Sequence, residues 1–332
     1  MARRVLHVVC DAADGGAERL VIELVRRAPD DLPADIATIH DGGPLSDALG
    51  GVFSAGRRRG TPGVRALVRL ARFLRGYDLV HTHQWPGDTW GRPAAALARV
   101  PVRVSTVHNV DRDEPAWKRR VNGATARLVQ RVFVVSSAVG RHVAGYGVPD
   151  GKIEVIANGI DRERFAASWD GLRSSRVLFV GRLVPQKGVD VLAAAAVLVP
   201  EALVEVVGAG ALRPAGLAYV GPADDVPARL ARARVAVVPS RWEGFSLFAA
   251  EAMAAGTPVV ASDVDGLAEV VGDAGLLVPA GDSGALADAL RRVLTDDALA
   301  MRLSAAGRAR AARFSIEGTV SAYAAAYRRL LP

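Results

Sequence analysis

Short runs of continuous valine, isoleucine and leucine recur along the chain, each followed by a longer stretch with helical spacing. In the first half they are Val5–Cys10, Ile36–His40, Leu79–His83, Val102–His108 and Val132–Ser136; in the second, Val177–Gly181, Leu203–Val207, Leu217–Val220, Val235–Pro239 and Val259–Ser262. Strands wetted on one side alternate apolar and polar residues. Most of these runs do not alternate, which is how parallel strands covered on both faces read. The stretches between them, such as Glu18–Arg27 and Val189–Val199, fit the helices of βαβ crossovers. An α/β protein with two doubly wound parallel sheets follows, and 332 residues suffice for two such domains. The polar stretch Ile160–Ser174 predicts the seam, with a Rossmann-like domain over 1–165 and a second over 174–314. A final helix is expected over 315–331, with Ser315 as its N-cap.

In open α/β sheets, ligands collect at the carboxyl ends of the strands. The chemically interesting residues all fall there: Gly15 and Gly16, His83, His108, Arg182 and Glu243. The stretch from Ser240 to Val260 is the richest. It reads as strand, glycine turn, small-residue helix, then Gly256-Thr257-Pro258 before the next strand. Such a turn aims free backbone N–H groups of a helix N-terminus at an anion. Glu243 in the turn and Glu251 on the helix flank it as hydroxyl-seeking acceptors. That combination suits a nucleotide sugar, a diphosphate with a ribose on one side and a sugar on the other. Arg182 and Lys187 add two cations on one loop, a fork and a point charge for phosphate oxygens.

The net charge of +7 invites a nucleic-acid reading, which the sequence does not support. Only Lys118, Lys152 and Lys187 are lysines; arginine supplies nearly all the positive charge, and with abundant alanine this reads as the coding bias of a GC-rich, bacterial genome. The basic residues are dispersed, without interleaved aromatic rings for stacking on bases. The densest cluster is Arg57-Arg58-Arg59, followed by Arg65, Arg69, Arg72 and Arg75 along one face of a helix expected over 62–75. A solvated face explains it, and contact with anionic lipid or acceptor stays open. No apolar run reaches the roughly 18 residues of a membrane span, the one cysteine, Cys10, has no disulfide partner, and no signal peptide is visible. A cytoplasmic enzyme is expected, in reach of the inner face of a membrane.

Several motifs resemble those of the retaining glycosyltransferases of family 4, which have the GT-B fold. The two glutamates Glu243 and Glu251 resemble the family's E-x7-E signature. Val180 to Gly188 is similar to its donor-phosphate motif, Val155 to Asp161 to its interdomain segment, and Gly15-Gly16-Ala17-Glu18-Arg19 to its first glycine-rich loop. The resemblance implies two Rossmann-like domains facing a cleft, with the terminal helix crossing back to the first domain. It also implies that Glu251 binds the ribose and Glu243 lies near the transferred sugar. Gly244, Phe245, Ser246 and Leu247 would meet sugar and phosphate, and His108 the donor sugar. Ser246 stands where many relatives carry a second glycine. Arg182 and Lys187 would stabilise the leaving phosphate, so no metal is expected.

Other patterns are weighed and set aside. Asp111-Arg112-Asp113 and Asp263-Val264-Asp265 match the metal motif of a different fold, and Asp263 is expected to cap the next helix. His81 and His83 share one face of a strand, but spacing suggests no third ligand. His83, with Trp85 and Asp88, is expected to line the acceptor cleft. Gly208-Ala209-Gly210 begins a dinucleotide pattern whose third glycine is replaced by Arg213. The expected activity is sugar transfer from a UDP- or GDP-type donor to an acceptor hydroxyl. The alternatives are a nucleotide-sugar epimerase of the same fold and a non-catalytic nucleotide-sugar-binding protein.

Overall fold

The computed structural model describes residues 2–10, 15–40, 52–57, 63–166 and 169–332. It divides into two compact units, Met1–Asn158 with Glu317–Pro332, and Gly159–Ile316. Unit 1 contains β1 (Val5–Val9), α1 (Gly16–Arg26), β2 (Ala34–Thr38), β3 (Phe53–Ser54), α2 (Val64–Phe73), β4 (Leu79–His83), α3 (Gln84–Leu97), β5 (Val102–Val107), α4 (Ala116–Ala126), β6 (Arg131–Val134), α5 (Ser137–Ala144) and β7 (Ile153–Val155). Unit 2 contains β8 (Arg176–Val180), α6 (Val189–Leu198), β9 (Leu203–Val207), β10 (Ala218–Gly221), α7 (Val226–Arg232), β11 (Val235–Val238), α8 (Leu247–Ala255), β12 (Val259–Ser262), α9 (Asp265–Val271), β13 (Leu276–Val278), α10 (Ser283–Thr295) and α11 (Asp297–Ala311). The last helix, α12 (Ile316–Leu330), belongs to unit 1 from Glu317 onward.

Every strand pairing in both sheets is parallel. The orders are β3-β2-β1-β4-β5-β6-β7 in unit 1 and β10-β9-β8-β11-β12-β13 in unit 2. Each order runs outward one way from its first strand and then reverses, between β1 and β4 and between β8 and β11. These are the switch points where doubly wound sheets bind ligands. The central strands β1, β4, β11 and β12 are buried at every residue, including His7 of β1 and His81, Thr82 and His83 of β4, which interrupt the apolar runs. In unit 2 the core joins Phe179, Val206 and Val237 of the sheet to Leu192 of α6 and to Leu286, Leu290 and Leu303 of α10 and α11.

Three strands go beyond the sequence reading: β3, β7 and β13. All are edges of their sheets and are two or three residues long, too short to register as apolar runs. The first unit ends at Asn158 rather than near residue 165. The reason is local: Ile160 bridges to Ser315, and a Cβ on Gly159 would lie 2.3 Å from the Ser315 carbonyl oxygen.

The final helix is held to unit 1 by buried rings. Tyr327 hydroxyl meets His81 Nδ1 at 2.5 Å, and Tyr323 hydroxyl meets Thr106 Oγ1 at 3.0 Å. Tyr323 also stands edge-on to Phe133, with centroids 5.3 Å apart. Thr319 Oγ1 donates to the Ala157 carbonyl at 2.9 Å, and Arg328 forks onto Asp31 at 2.8 and 2.7 Å.

Gly188 joins the turn after β8 to α6 with φ +66, and a Cβ there would sit 1.9 Å from the Pro239 carbonyl oxygen. Neither the conformation nor the contact tolerates a side chain. Gly188→Ala should lower the stability of unit 2 by roughly 2 kcal/mol or more. Urea unfolding measures it, and an unchanged midpoint would show that the backbone does not make this approach.

Candidate active site

The segments leaving β8 and β11 meet because those strands are neighbours at the switch point of unit 2. The first carries Arg182 and a 3-10 turn over Pro185–Lys187; the second runs from Pro239 into α8. Side chains stitch them together. Gln186 Nε2 donates to the Trp242 carbonyl at 3.1 Å, and Arg241 forks onto Asp190 at 2.8 and 2.6 Å. Lys187 Nζ donates to Glu243 Oε1, which also accepts from Ser240 Oγ at 3.0 Å. Glu243 is only 5% exposed, so the cation and the hydroxyl are what allow a carboxylate there. Arg182 is exposed, with its guanidinium 3.4 Å from Gln186 Oε1.

Beneath this turn lie the two glycines of the partial dinucleotide pattern. Gly208 and Gly210 have φ of +144 and +150, and Cβ atoms on them would lie 1.9 and 2.4 Å from the carbonyl oxygens of Gly181 and Leu183. They let the chain after β9 press against the Arg182 segment, a packing role that explains them without a dinucleotide. Ser246 caps α8, its Oγ accepting from the Ala249 N–H at 3.4 Å, with φ +76. That conformation costs a serine about 1 kcal/mol, which gives a physical reason for glycine at this position. Glu251 lies half-buried in the second turn of α8.

Unit 1 gathers four histidines. His7, His81, His83 and His108 are 2%, 0%, 1% and 8% exposed. His7 and His81 are register partners on β1 and β4. His7 Nδ1 and His83 Nε2 are hydrogen-bonded at 2.9 Å, and His83 Nδ1 and His108 Nε2 at 3.0 Å. His81 bonds Tyr327 through Nδ1 and Thr106 through Nε2 at 2.7 Å. Burial strips solvent from the charged form and lowers all four pKa values, His7 to about 3 and His108 to about 4. His7, His81 and His83 each place one ligand atom within 4.8 Å of the others, so the fold supplies the third histidine that spacing did not suggest. Both nitrogens of His81 and of His83 are taken by hydrogen bonds, however. The rings of His81 and His83 lie 4.0 Å apart, tilted 33° to one another.

Comparison with known proteins decides the family. The family described as Glycosyltransferase Family 4 matches residues 14–164, and that described as Glycosyl transferases group 1 matches residues 174–296. A D-inositol 3-phosphate glycosyltransferase of Salinispora arenicola is 30% identical over 95% of this chain and 87% of that protein. A glycogen synthase of Mycobacterium tuberculosis is 36% identical over 71% of this chain and 63% of its own. The chain belongs to glycosyltransferase family 4. Its fold is GT-B: the Anabaena protein HepE, solved with UDP and glucose, superposes with a TM-score of 0.87 at 22% identity, covering 98% of this chain and 99% of that one. Sucrose-phosphate synthase of Thermosynechococcus elongatus gives 0.79 at 24% identity, covering 99% of each.

Within this family-4 glycosyltransferase the structure brings Arg182, Lys187, Glu243, Gly244, Phe245, Ser246, Leu247 and Glu251 onto two adjoining segments of unit 2; in unit 1 it places Gly15 and Gly16 at the N-terminus of α1 and His108 directly after β5. Gly15 caps α1 with extended backbone, and a Cβ there would meet Glu18 Oε2 at 2.3 Å. The Lys187 side chain is 22% exposed and ion-paired. Three expectations need correction. Asp263 does not cap α9, whose N-cap is Val264 without a side-chain hydrogen bond. His83 does not line an open surface; it is 1% exposed and hydrogen-bonded to His7 and His108. Asp88, 3% exposed, pairs internally with Arg92 at 3.1 Å and accepts from Thr82. Of the Asp-x-Asp triplets, Asp111 pairs with Lys118 at 3.2 Å.

On α2, Val64 and Val68 are exposed beside Arg65, Arg69 and Arg72, over a shallow groove floored by the stacked rings of Phe53 and Phe73. Arg58 and Arg59 lie outside the described residues. His7 went unremarked in the sequence; a histidine within an otherwise apolar five-residue strand was the available signal.

The neutral histidines dictate a pH dependence. The unfolded chain takes up their protons below about pH 6.5, whereas His7 and His108 stay neutral in the folded protein down to about 3 and about 4. Stability is therefore full above pH 6.5 and falls as pH drops toward 4. Between pH 7.5 and 5.5 each of these histidines should remove about 1.4 kcal/mol. Urea titrations at the two values test this, and equal stability at both would contradict burial of neutral rings.

Proposed function

We propose that this glycosyltransferase moves a sugar from a UDP- or GDP-type nucleotide sugar to an acceptor hydroxyl, without a metal and with retention of configuration. The Lys187–Glu243 pair beside the capped N-terminus of α8 carries the reading. A compact cation beside a helix N-terminus at a sheet switch point suits a diphosphate, which supports the reading. HepE, solved with UDP-glucose, supports a UDP-type donor first. Lys187 and Arg182 hold the diphosphate, with Gly244, Phe245, Ser246 and Leu247 supplying backbone N–H groups. Glu251 holds the ribose. Glu243 and, on unit 1, His108 attend the sugar, and Gly15-Gly16 forms the loop entering α1.

In the reaction the bond from the anomeric carbon to the β-phosphate oxygen breaks, and the nucleoside diphosphate leaves with the electron pair. The acceptor oxygen bonds that carbon from the same face, and its proton passes to the leaving phosphate. Negative charge grows on that phosphate, where the two cations are worth most. Glu243 neutralises Lys187 while the site is free, and a diphosphate, more highly charged, competes for the same ammonium.

A panel of UDP-, GDP-, ADP- and TDP-sugars, scored by thermal shift and then by turnover, tests the assignment. Lys187→Ala and Arg182→Ala should each reduce turnover by roughly a hundredfold or more, about 3 kcal/mol, and activity should persist in EDTA. Because Lys187→Ala strands a buried carboxylate, Lys187→Ala with Glu243→Gln is the stability control. Wild-type rates in folded variants, or a loss in EDTA restored by manganese, would overturn the reading. Epimerisation of the donor sugar without acceptor would assign the chain to the alternative activity, and tight donor binding without turnover to the binding-protein alternative.

We further assign α2 to peripheral contact with an anionic membrane surface; no described helix is long and apolar enough to cross a membrane. Co-sedimentation with phosphatidylglycerol vesicles should exceed that with phosphatidylcholine and should fall in Arg65→Glu with Arg69→Glu. Equal binding to both vesicle types would remove the assignment.

A further inference from the structure

We propose that His7 and His83 are positioning residues that fix the tautomer of His108, so that its Nδ1 accepts a hydrogen bond from a sugar hydroxyl. The proposal rests on the assignment of His108 to the sugar and adds what makes that histidine selective.

Burial keeps the three rings neutral, and a neutral imidazole has one N–H and one lone pair. His83 bonds His7 through Nε2 at 2.9 Å and His108 through Nδ1 at 3.0 Å. It must donate with one nitrogen and accept with the other. Only two arrangements therefore satisfy both links: every N–H on Nδ1, or every N–H on Nε2. They differ at the two ends of the chain, His7 Nε2 and His108 Nδ1; His7 Nε2 is not among the buried atoms without a partner, so an N–H there is met by solvent or protein. His108 Nδ1 is buried and has no hydrogen-bond partner. The first arrangement would leave an N–H unmet there; the second leaves only a lone pair. An orphaned N–H is the rarer of the two in folded proteins. The chain thus settles with Nε2–H on each ring, and His108 presents an acceptor.

A ligand hydroxyl satisfies that acceptor by donating to it. A deoxy or fluoro group at the same sugar position cannot donate and leaves the nitrogen unmet. The selectivity depends on His7, two rings away, because the favoured arrangement needs its Nδ1 to accept from His83 Nε2–H. His81 lies against His83 at a 33° tilt but shares no hydrogen bond with it, its nitrogens being held by Tyr327 and Thr106. The three-residue chain and the His81 network are thus separate.

The test is ¹⁵N-histidine NMR of the whole chain, reading which ring nitrogens carry protons. In the free wild-type protein, His7, His83 and His108 should each carry the proton on Nε2. His7→Phe, which removes the first link, should shift His108 to a mixture of tautomers. His7→Asn, whose amide can still bond His83, should restore the single form. With UDP-glucose as probe, His7→Phe should lower kcat/KM about tenfold while leaving UDP affinity unchanged, and His7→Asn should recover most of it. A proton on Nδ1 of His108 in the wild type, or an unchanged tautomer in folded His7→Phe, would overturn the proposal. So would zinc retained at one equivalent per chain, which would make His7, His81 and His83 metal ligands. If UDP-glucose is not turned over, the proton positions in the free protein still decide the matter, and only the assignment of substrate is lost.

Discussion

In unit 2 the backbone at Gly188 runs against the Pro239 carbonyl so tightly that a Cβ would lie 1.9 Å from its oxygen. Much of the donor-side geometry depends on that approach. It brings the turn after β8 onto the turn after β11, so that Gln186 reaches Trp242, Arg241 reaches Asp190 and Lys187 reaches Glu243. A carboxylate as buried as Glu243 is expensive to hold unpaired, so the ion pair depends on the glycine in turn. The site is therefore charged but internally balanced before any ligand arrives. On the function proposed above, an incoming diphosphate would exchange one anionic partner of Lys187 for another, instead of meeting a bare ammonium whose water must first be stripped away.

The central architecture was legible in the sequence because it is written in continuous apolar runs. Leu79–His83, Leu203–Val207 and Val259–Ser262 coincide with β4, β9 and β12 residue for residue. What escaped were edge strands of two or three residues, whose pairing depends on the neighbouring strand more than on their own composition. Within the site, Lys187, Glu243 and Ser246 were legible as chemistry, but not their pairing. No spacing rule links a lysine to a glutamate on another βα turn; only the sheet order does. The pairing of His7 was illegible for the same reason: its partner His83 is far along the chain and adjacent only across β1 and β4.

Arginine misleads in the opposite direction. The sequence shows it as dispersed surface charge, yet Arg92 and Arg234 are 2% and 0% exposed. Arg92 meets Asp88, Ser105 and Thr125, while Arg234 donates to the carbonyls of Val293 and Leu172 and to Asp297. Several donors in a planar fork allow one arginine to satisfy several such acceptors at once. Part of the net positive charge is thus structural mortar and contributes little to attracting anions from solution.

The docking of α12 on unit 1 has a consequence for how the chain is made. Tyr323 and Tyr327 complete the burial of His81, Thr106 and Phe133, yet they follow the whole of unit 2 in the order of synthesis. At about 5–20 residues per second, the ribosome needs roughly ten to thirty seconds to pass from the end of the first segment to this helix. Throughout that interval unit 1 carries an uncovered aromatic and histidine surface, while unit 2 emerges as one continuous segment able to fold without delay. The half of the protein made first is the half finished last.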